Sequence, residues 1–323
     1  MSPLVTRRVA DSLRLSRSNI IAIWHGGEPL ACGLKHFSDL FASFDGVPNV
    51  AHMVQTNATL IDEEWCTFFK KNRFHVGVSI DGPFEMNINR VDWGGNPTFR
   101  KTMKGIMHLR RAGIRFSVIA VVSEGALGRA KELYNYLVEL GCNAFGVNIE
   151  ERVMQNLGPG SKDRNSDVLK FWKDLFNAWR TRPSVEVREF KNALSWMRAV
   201  SATQVDLNEQ ILDIFPSVAW NGDVVVLSPE LLGAKSIHHQ NFVVGNVLHA
   251  TMDEILERAQ GFGYVRDFIK GTVKCKEVCQ YFSFCGGGCA SNKFYELGEL
   301  GGTETESCRN MKQRVVDAVL QSL

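Results

Sequence analysis

The C-terminal part of the chain carries a cluster of cysteines whose spacing could hold a metal centre. Five of the eight cysteines in this 323-residue sequence fall within the final 49 residues, in the pattern C-x3-C-x5-C-G-G-G-C followed, after 18 further residues, by a last cysteine. They are Cys275, Cys279, Cys285, Cys289 and Cys308. Thiolate sulfur binds both zinc and iron–sulfur clusters, and four thiolates suit either centre. The glycines at 286–288 can adopt the backbone angles that a tight fold around such a centre needs.

Three apolar segments in the first half of the chain run into polar clusters. These clusters read W-H-G-G-E-P at 24–29, Q-T-N at 55–57 and S-I-D-G-P at 79–83, with N-R at 89–90. Turn chemistry alone explains any one of them, because Asn, Asp, Gly and Pro form turns. Ligands of parallel α/β folds bind at the carboxyl ends of the strands. Three clusters at successive strand ends therefore predict a common ligand at one mouth of a sheet.

The elements that would position these clusters alternate along the first half of the chain. Apolar, β-branched runs predict five strands, at 20–24, 50–54, 74–80, 114–122 and 144–149. Helical patterns lie between them, near 35–44, 62–72, 98–112 and 126–140. Strands that alternate with helices indicate βα units and a parallel sheet, so the fold class is α/β.

The pattern changes after about residue 152. Segments 165–181 and 188–201 are predicted helices, and 212–228 is a predicted β-hairpin whose turn is Asn221-Gly222. We therefore expect three parts: a βα domain over 1–152, a helical connection over 153–210 and a cysteine-rich domain over 211–323.

The composition and net charge argue against several classes of function. The chain is 45% hydrophobic and 22% charged, with a formal net charge of +2. This is an ordinary globular balance, and it gives no sign of a nucleic-acid surface or a membrane anchor. The N-terminal residues lack the apolar run of a secretory signal, which favours the cytoplasm. In that reducing compartment a cysteine cluster indicates a metal site rather than disulfides.

Taken in order, these motifs resemble one family. W-H-G-G-E-P, Q-T-N-A-T, S-I-D-G-P, N-R and the C-terminal cysteines are similar to those of the radical S-adenosylmethionine (SAM) enzymes that carry a SPASM domain. That family includes anaerobic sulfatase maturases and peptide maturases. S-P-E-L-L-G at 228–233, N-F at 241–242 and G-N-V at 245–247 resemble the peptide maturases that form cyclophane crosslinks.

The resemblance implies roles for individual residues. Seven of them would bind SAM: Gly26, Gly27, Glu28, Thr56, Asn57, Ser79 and Arg100. The first three would lie at the amino group of SAM, the next two near its ribose, and the last two at its carboxylate, with Arg100 placed by its spacing from Ser79. Asp81 would lie in the substrate cavity, where it could take a proton or steer the substrate.

The sequence departs from the family in its first motif. The C-x3-C-x2-C motif, which holds the [4Fe–4S] cluster that cleaves SAM, does not occur here. The scattered Cys32, Cys66 and Cys142 do not replace it, and each is expected to be a small buried apolar residue. Residues 3–15 are expected to form the helix that follows the missing loop. We therefore expect an N-terminal truncation and a partial radical SAM (βα) barrel that lacks its first strand, followed by a small SPASM-like domain.

The second departure concerns the auxiliary clusters. The family pattern maps one [4Fe–4S] cluster onto Cys275, Cys279, Cys285 and Cys308. Cys289 would belong to a second cluster whose other ligands are missing, and Ser228 stands roughly where one of them would be. The alternative for the first four cysteines is a structural zinc site.

The resemblance implies a radical SAM oxidoreductase that modifies or crosslinks a peptide or protein. Its partners would be a precursor peptide or protein substrate and an electron donor such as flavodoxin or ferredoxin. Two alternatives remain open for this chain. One is a non-catalytic remnant that binds SAM or a peptide, and the other is a zinc-stabilised binding module.

Overall fold

A parallel sheet organises the first two thirds of the chain. The computed structural model describes residues 1–14, 16, 18–151, 165–202 and 214–323. The six strands of the sheet lie in the order β1-β2-β3-β4-β5-β6, and every neighbouring pair is parallel. They are β1 Ile20–Trp24, β2 Val50–Thr56, β3 His75–Ser79, β4 Phe116–Val122, β5 Ala144–Ile149 and β6 Glu186–Val187. The α/β class and the five predicted strands are confirmed.

Helices connect these strands, as βα units require. The helices of this part are α1 Pro3–Leu13, α2 Leu34–Phe41, α3 Glu63–Lys71, α4 Phe99–Arg111, α5 Ala130–Leu140, α6 Asn165–Thr181 and α7 Arg188–Ser201. The predicted helices at 165–181 and 188–201 match α6 and α7. The sequence analysis missed β6, because a strand of two residues leaves no apolar alternation to detect.

A second, smaller sheet opens the cysteine-rich part. The strands β7 Ser217–Val218 and β8 Asp223–Val225 form an antiparallel hairpin, and β9 Gly245–Asn246 pairs with β8. The predicted turn at Asn221-Gly222 is confirmed, while 212 and 213 lie outside the described residues. Six helices follow: α8 Met252–Ala259, α9 Gly263–Val278, α10 Phe282–Cys285, α11 Ala290–Leu297, α12 Glu306–Cys308 and α13 Arg314–Leu320. A π-helical turn at Arg309–Gln313 joins the last two.

Two hydrophobic cores hold these layers. The larger one lies between the parallel sheet and its helices, and it includes Val315, Ala318 and Val319 of the C-terminal helix. The smaller one surrounds the second sheet and includes Val5 of α1. Both chain ends thus pack on the core that is distant from them in sequence. The proposed boundaries near 152 and 210 stay a prediction, since both fall in or beside segments outside the described residues.

The cysteines outside the C-terminal cluster differ from one another. Cys66 and Cys142 are buried, and burial raises the pKa of these thiols to about 11 and about 12. Cys32 is exposed, so the expectation that it is a small buried residue is wrong. It lies at the end of the short helical turn Pro29–Cys32, where its thiol donates to the Pro29 carbonyl oxygen. Among the helices that the structure describes, none has the length and apolarity to cross a bilayer.

Candidate functional site

Glu28 joins the ends of the first two strands. Its Oε1 atom accepts hydrogen bonds from the Leu30 amide at 3.0 Å and from the Thr56 hydroxyl at 2.7 Å. Its Oε2 atom accepts from the Asn57 amide at 2.8 Å. A carboxylate offers about four acceptor positions, so one remains for a further donor. The Glu28 carboxylate thus ties the turn after β1 to the turn after β2.

The glycines before Glu28 leave the same edge open. Gly26 and Gly27 have φ values of 96° and 61°, and a Cβ atom at either position would meet nothing within 4 Å. Their backbone groups are therefore accessible to a ligand at this edge. The left-handed backbone explains why glycine occupies both positions.

Gln55 and Ser79 lie side by side on the sheet face. The Gln55 Nε2 atom donates to the Ser79 hydroxyl at 2.9 Å. Gln55 lies flat over Gly77 of β3, where a Cβ atom would stand 2.1 Å from its Oε1 atom. This buried Oε1 atom has no hydrogen-bond partner within the described residues. Burying an acceptor without a donor costs free energy, so this atom marks a position where a ligand donor would be stabilised.

Asp81 is held by an ion pair at the end of β3. Its two carboxylate oxygens each lie 2.7 Å from a guanidinium nitrogen of Arg90, and Oδ1 also accepts from the Val121 amide at 2.8 Å. The Asp81 side chain is 8% exposed and the Arg90 side chain is 24% exposed. These contacts hold the segment after β3 against Arg90 and against Val121 of β4. The catalytic role of Asp81 stays a prediction.

Arg100 lies further from this network. It belongs to the first turn of α4, and its side chain is exposed. The neighbouring Thr102 hydroxyl donates to the Asn57 carbonyl oxygen at 3.0 Å, so α4 does pack against the turn after β2. The structure therefore brings Glu28, Thr56 and Asn57 into direct contact, pairs Ser79 with Gln55, and leaves Arg100 in solvent at the rim.

The C-terminal cysteines divide into four and one. A cavity of about 410 Å³ is lined by four of them: Cys275, Cys279, Cys285 and Cys308. Gly287 and Gly288 form part of the same wall. No disulfide joins any of the eight cysteines, all of which the structure describes. Cys289 is absent from the described lining of this cavity, so the division follows the ligand set that the family pattern implies.

The pKa values of the thiols in this cavity are shifted in different directions. The pKa of Cys285 is lowered to about 6, first by a hydrogen bond from Cys308 and then by the Lys312 charge and the Gly287 and Gly288 amides. The pKa of Cys308 moves upward, because it shares that proton and lies in a buried site. Burial also raises the pKa of Cys275. A thiolate at Cys285 is the form that binds a metal centre.

A buried lysine accompanies these thiols. Lys293 of α11 is 1% exposed, and its Nζ atom lies 3.9 Å from the Cys275 sulfur. Burial lowers the pKa of Lys293, while Cys275, Cys285 and Cys308 raise it. The sequence analysis missed this residue, because a lone lysine in a short helix is normally solvent-exposed.

These residues fit a thiolate-bound cluster. Across the described parts of the chain, no three His, Cys, Asp or Glu side chains already converge closely enough to enclose a single metal ion. One tetrahedral zinc ion would need four sulfurs at about 2.3 Å from a common point. A cluster spreads its thiolates over several irons, so its ligands lie further apart. Four thiols around one cavity, beside the buried Lys293 and the Gly287 and Gly288 amides, could hold such a cluster.

Cys289 lies in a separate polar network. Its sulfur is 3.4 Å from the Ser228 hydroxyl and 3.1 Å from the Ser291 hydroxyl, and the two hydroxyls are 2.9 Å apart. The Ser228 hydroxyl also contacts the Glu230 carboxylate. Ser228, which stands in the sequence roughly where one of the missing ligands would be, thus lies beside Cys289. Ser228 is 1% exposed, and its described partners are hydroxyl, thiol and carboxylate groups.

Comparisons with known proteins agree with this arrangement. No protein-family model matches the chain. It is 32% identical over 320 residues to the uncharacterized protein sll1766 of Synechocystis, covering 95% of this chain and 80% of that protein. It is 27% identical over 278 residues to a cysteine-type anaerobic sulfatase-maturating enzyme of Clostridium perfringens, covering 82% of this chain and 72% of that enzyme.

Solved structures show the same fold. Native anSMEcpe with bound AdoMet superposes with a TM-score of 0.80 at 23% identity, covering 99% of this chain and 88% of that chain. Streptococcus suis SuiB superposes with a TM-score of 0.66 at 14% identity, covering 95% of this chain and 71% of that chain. Both likenesses extend over the parallel sheet and the cysteine-rich part together.

Proposed function

This chain belongs to the radical SAM enzymes that carry a SPASM domain, and we propose that it binds SAM and one [4Fe–4S] cluster and acts in the maturation of a peptide or protein. The observation that carries the proposal is the division of the C-terminal cysteines, since four line one cavity and the fifth does not. The cluster supplies one-electron redox chemistry when it is bound. Cys275, Cys279, Cys285 and Cys308 would hold it.

We assign SAM binding to the edge where the first three strands end. Glu28 holds the turn after β2 in place, and one acceptor position of its carboxylate is left for the amino group of SAM. The backbone of Gly26 and Gly27 lies at the same edge of the sheet as Ser79 and the Gln55 Oε1 atom, which has no hydrogen-bond partner among the described residues. A bound SAM molecule has both donors and acceptors to satisfy these groups. Arg100 could reach its carboxylate only by moving its exposed side chain inward.

The substrate side of the proposal is a peptide or protein. Structures related to this fold include native anSMEcpe with bound AdoMet and Cp18Cys peptide, and SuiB bound to precursor peptide SuiA. By analogy, a peptide would enter beside Asp81, and an electron donor such as flavodoxin or ferredoxin would serve the cluster. The cytoplasmic location stays a prediction.

One experiment tests the cluster and SAM together. The 323-residue chain is reconstituted anaerobically with iron and sulfide, and iron, sulfide, zinc and the visible spectrum are measured. We expect about four irons and four sulfides per chain with charge-transfer absorbance, and SAM binding by calorimetry. Stoichiometric zinc without that absorbance would favour the zinc-stabilised binding module instead.

A second measurement separates binding from cleavage. Because the 323 residues contain no C-x3-C-x2-C motif, we propose that they bind SAM without cleaving it. Incubation of the reconstituted protein with SAM and dithionite should then yield no 5′-deoxyadenosine. Formation of that product would overturn this part of the proposal and would assign the cleavage to these residues.

A further inference from the structure

Lys293 is the most deeply buried lysine side chain in the described part of the chain, and its partners are unusual. Its Nζ atom lies 3.9 Å from the Cys275 sulfur and 5.1 Å from the centroid of the Phe268 ring. The residue as a whole is 1% exposed. An isolated charge in such a position costs several kcal/mol unless another charge compensates for it.

No carboxylate provides that compensation within the described residues. Other cations of the same region form ion pairs, such as Lys270 with Asp267, Arg309 with Glu304 and Arg314 with Asp317. Lys293 forms none with any described Asp or Glu. The ionisable side chains closest to its ammonium are instead those of Cys275, Cys285 and Cys308.

The surroundings hold the ammonium in one position. Phe268 and Cys275 are both buried and lie seven residues apart in α9, so they share one face of that helix. The Phe268 ring offers its negative face to the cation. On the opposite side, Gly288 contributes no side chain, and a Cβ atom there would lie 3.7 Å from the Lys293 Cε atom. The Lys293 side chain therefore lies near Gly288 at its Cε atom and beside Phe268 and the Cys275 sulfur at its Nζ atom.

We propose that Lys293 is the fixed counter-charge of the iron–sulfur cluster and raises its reduction potential. This inference rests on the proposed function, because it requires that the four cysteines hold a cluster. Four thiolates outweigh the positive charge of the core they bind, so the centre is an anion. An ammonium fixed beside one ligand sulfur stabilises the reduced, more negative form. Its N–H group would also donate to the Cys275 sulfur, which acts in the same direction.

The test compares three reconstituted variants with the wild-type protein. Lys293→Met removes the charge and the donor at similar length, and Lys293→Gln removes the charge but keeps a donor. Lys274→Met is the matched control, because Lys274 precedes Cys275 in α9 yet is exposed and donates only to the Gly301 carbonyl at 3.4 Å among its described contacts. The midpoint potential of the cluster is measured by dithionite titration followed by the visible spectrum and electron paramagnetic resonance.

In Lys293→Met we expect the ratio of reduced to oxidised cluster at a fixed solution potential to fall about tenfold. For one electron this corresponds to a midpoint potential that is lower by ~59 mV. In Lys293→Gln this ratio should also fall, but by less than tenfold. In Lys274→Met it should equal the wild-type ratio. Equal potentials in Lys293→Met and wild type, or equal shifts at Lys293 and Lys274, would overturn the inference. If the wild type takes up no cluster, the proposed function fails instead.

The unloaded protein gives an independent readout. Removal of an uncompensated buried charge should leave the apo form of Lys293→Met at least as stable to heat as the wild-type apo form. A folded Lys293→Met chain that no longer takes up iron would also support the counter-charge role. Failure of both Lys293 variants to fold would assign the residue to packing and would overturn the inference.

Discussion

The sulfur of Cys289 lies 3.4 Å from the hydroxyl oxygen of Ser228, in a network distinct from the cavity that the other four C-terminal cysteines line. Both residues also contact the Ser291 hydroxyl. Hydroxyls are poor ligands for iron compared with thiolates, and Ser228 is already hydrogen-bonded. Among the described residues, the partners of Cys289 here are therefore hydroxyls rather than thiols.

Replacement of single cysteines should separate the two networks. We expect Cys289→Ser to keep close to the wild-type iron content and spectrum after reconstitution, because its side chain lies outside the ligand set. Cys308→Ser should lose most of the iron, because it removes one of four thiolates. The measurement is iron and sulfide per chain at equal protein concentration. Equal losses in the two variants would contradict the assignment of the ligands.

Glu28 offers a test of the SAM site. In Glu28→Gln one carboxylate oxygen becomes an NH₂ group, which cannot accept from the Leu30 or Asn57 amide. The turn after β2 should loosen, and the affinity for SAM should fall about 10- to 100-fold, as expected for unpaired buried donors. Calorimetric titration with SAM measures the change. The control is Glu64→Gln, an exposed change of the same kind in the first turn of α3. Unchanged affinity in Glu28→Gln would contradict the proposed site.

The ion pair of Asp81 with Arg90 should contribute strongly to stability. Removing one partner leaves the other buried and unpaired, so Asp81→Asn and Arg90→Gln should each reduce the free energy of unfolding by about 3 kcal/mol. The double variant should lose less than the sum of the two single changes. Urea unfolding of all four proteins gives this coupling energy.

The exposed pair of Asp11 with Arg14, whose side chains are 49% and 44% exposed, is the control. Its coupling should stay below about 1 kcal/mol. Additive losses at Asp81 and Arg90 would show that the pair is not structural, and would return Asp81 to the role of a free carboxylate in the cavity.

The sequence predicts the parallel sheet well because most residues of its strands are apolar. Runs rich in apolar and β-branched residues mark β1 to β5 within about two residues at each end. Strand β6 escapes prediction because it pairs only two residues, Glu186 and Val187, with β5. Its position depends on α7 packing against the sheet, which no local pattern encodes.

The candidate site is predictable only in part. Motif order identifies Glu28, Thr56 and Asn57, but it does not reveal that the Glu28 carboxylate binds the other two. Lys293 carries no local signal, because its burial results from the approach of α11 to α9 in three dimensions. Asp81 looks like a free strand-end carboxylate in the sequence, since its partner Arg90 lies nine residues away in a loop.

Acid should destabilise the protein partly through His52. This side chain is 7% exposed and packs against Phe41 and Phe44, and its Nδ1 atom accepts a hydrogen bond from the Trp24 indole at 3.1 Å. Burial lowers the pKa of His52 to about 4, whereas the unfolded chain keeps a pKa of about 6.5. The unfolded state therefore binds the proton first on acidification. The contribution of neutral His52 is fully present above about pH 6.5 and is lost as the pH falls towards 4, by up to about 3 kcal/mol.

Two substitutions isolate this contribution from other acid-sensitive groups. His52→Phe keeps an aromatic ring in the cluster but cannot be protonated, so its stability should depend less steeply on pH between 6.5 and 4.5 than that of the wild type. His75→Gln removes an exposed histidine of the neighbouring strand and should retain the wild-type slope. The carboxylates whose pKa values are lowered, such as Asp92 and Glu254, act equally in all three proteins and cancel in the comparison. Urea midpoints followed by circular dichroism at several pH values give the slopes. If the slope of His52→Phe equals that of the wild type, the acid sensitivity arises elsewhere, and the buried His52 is not the group that is protonated on unfolding.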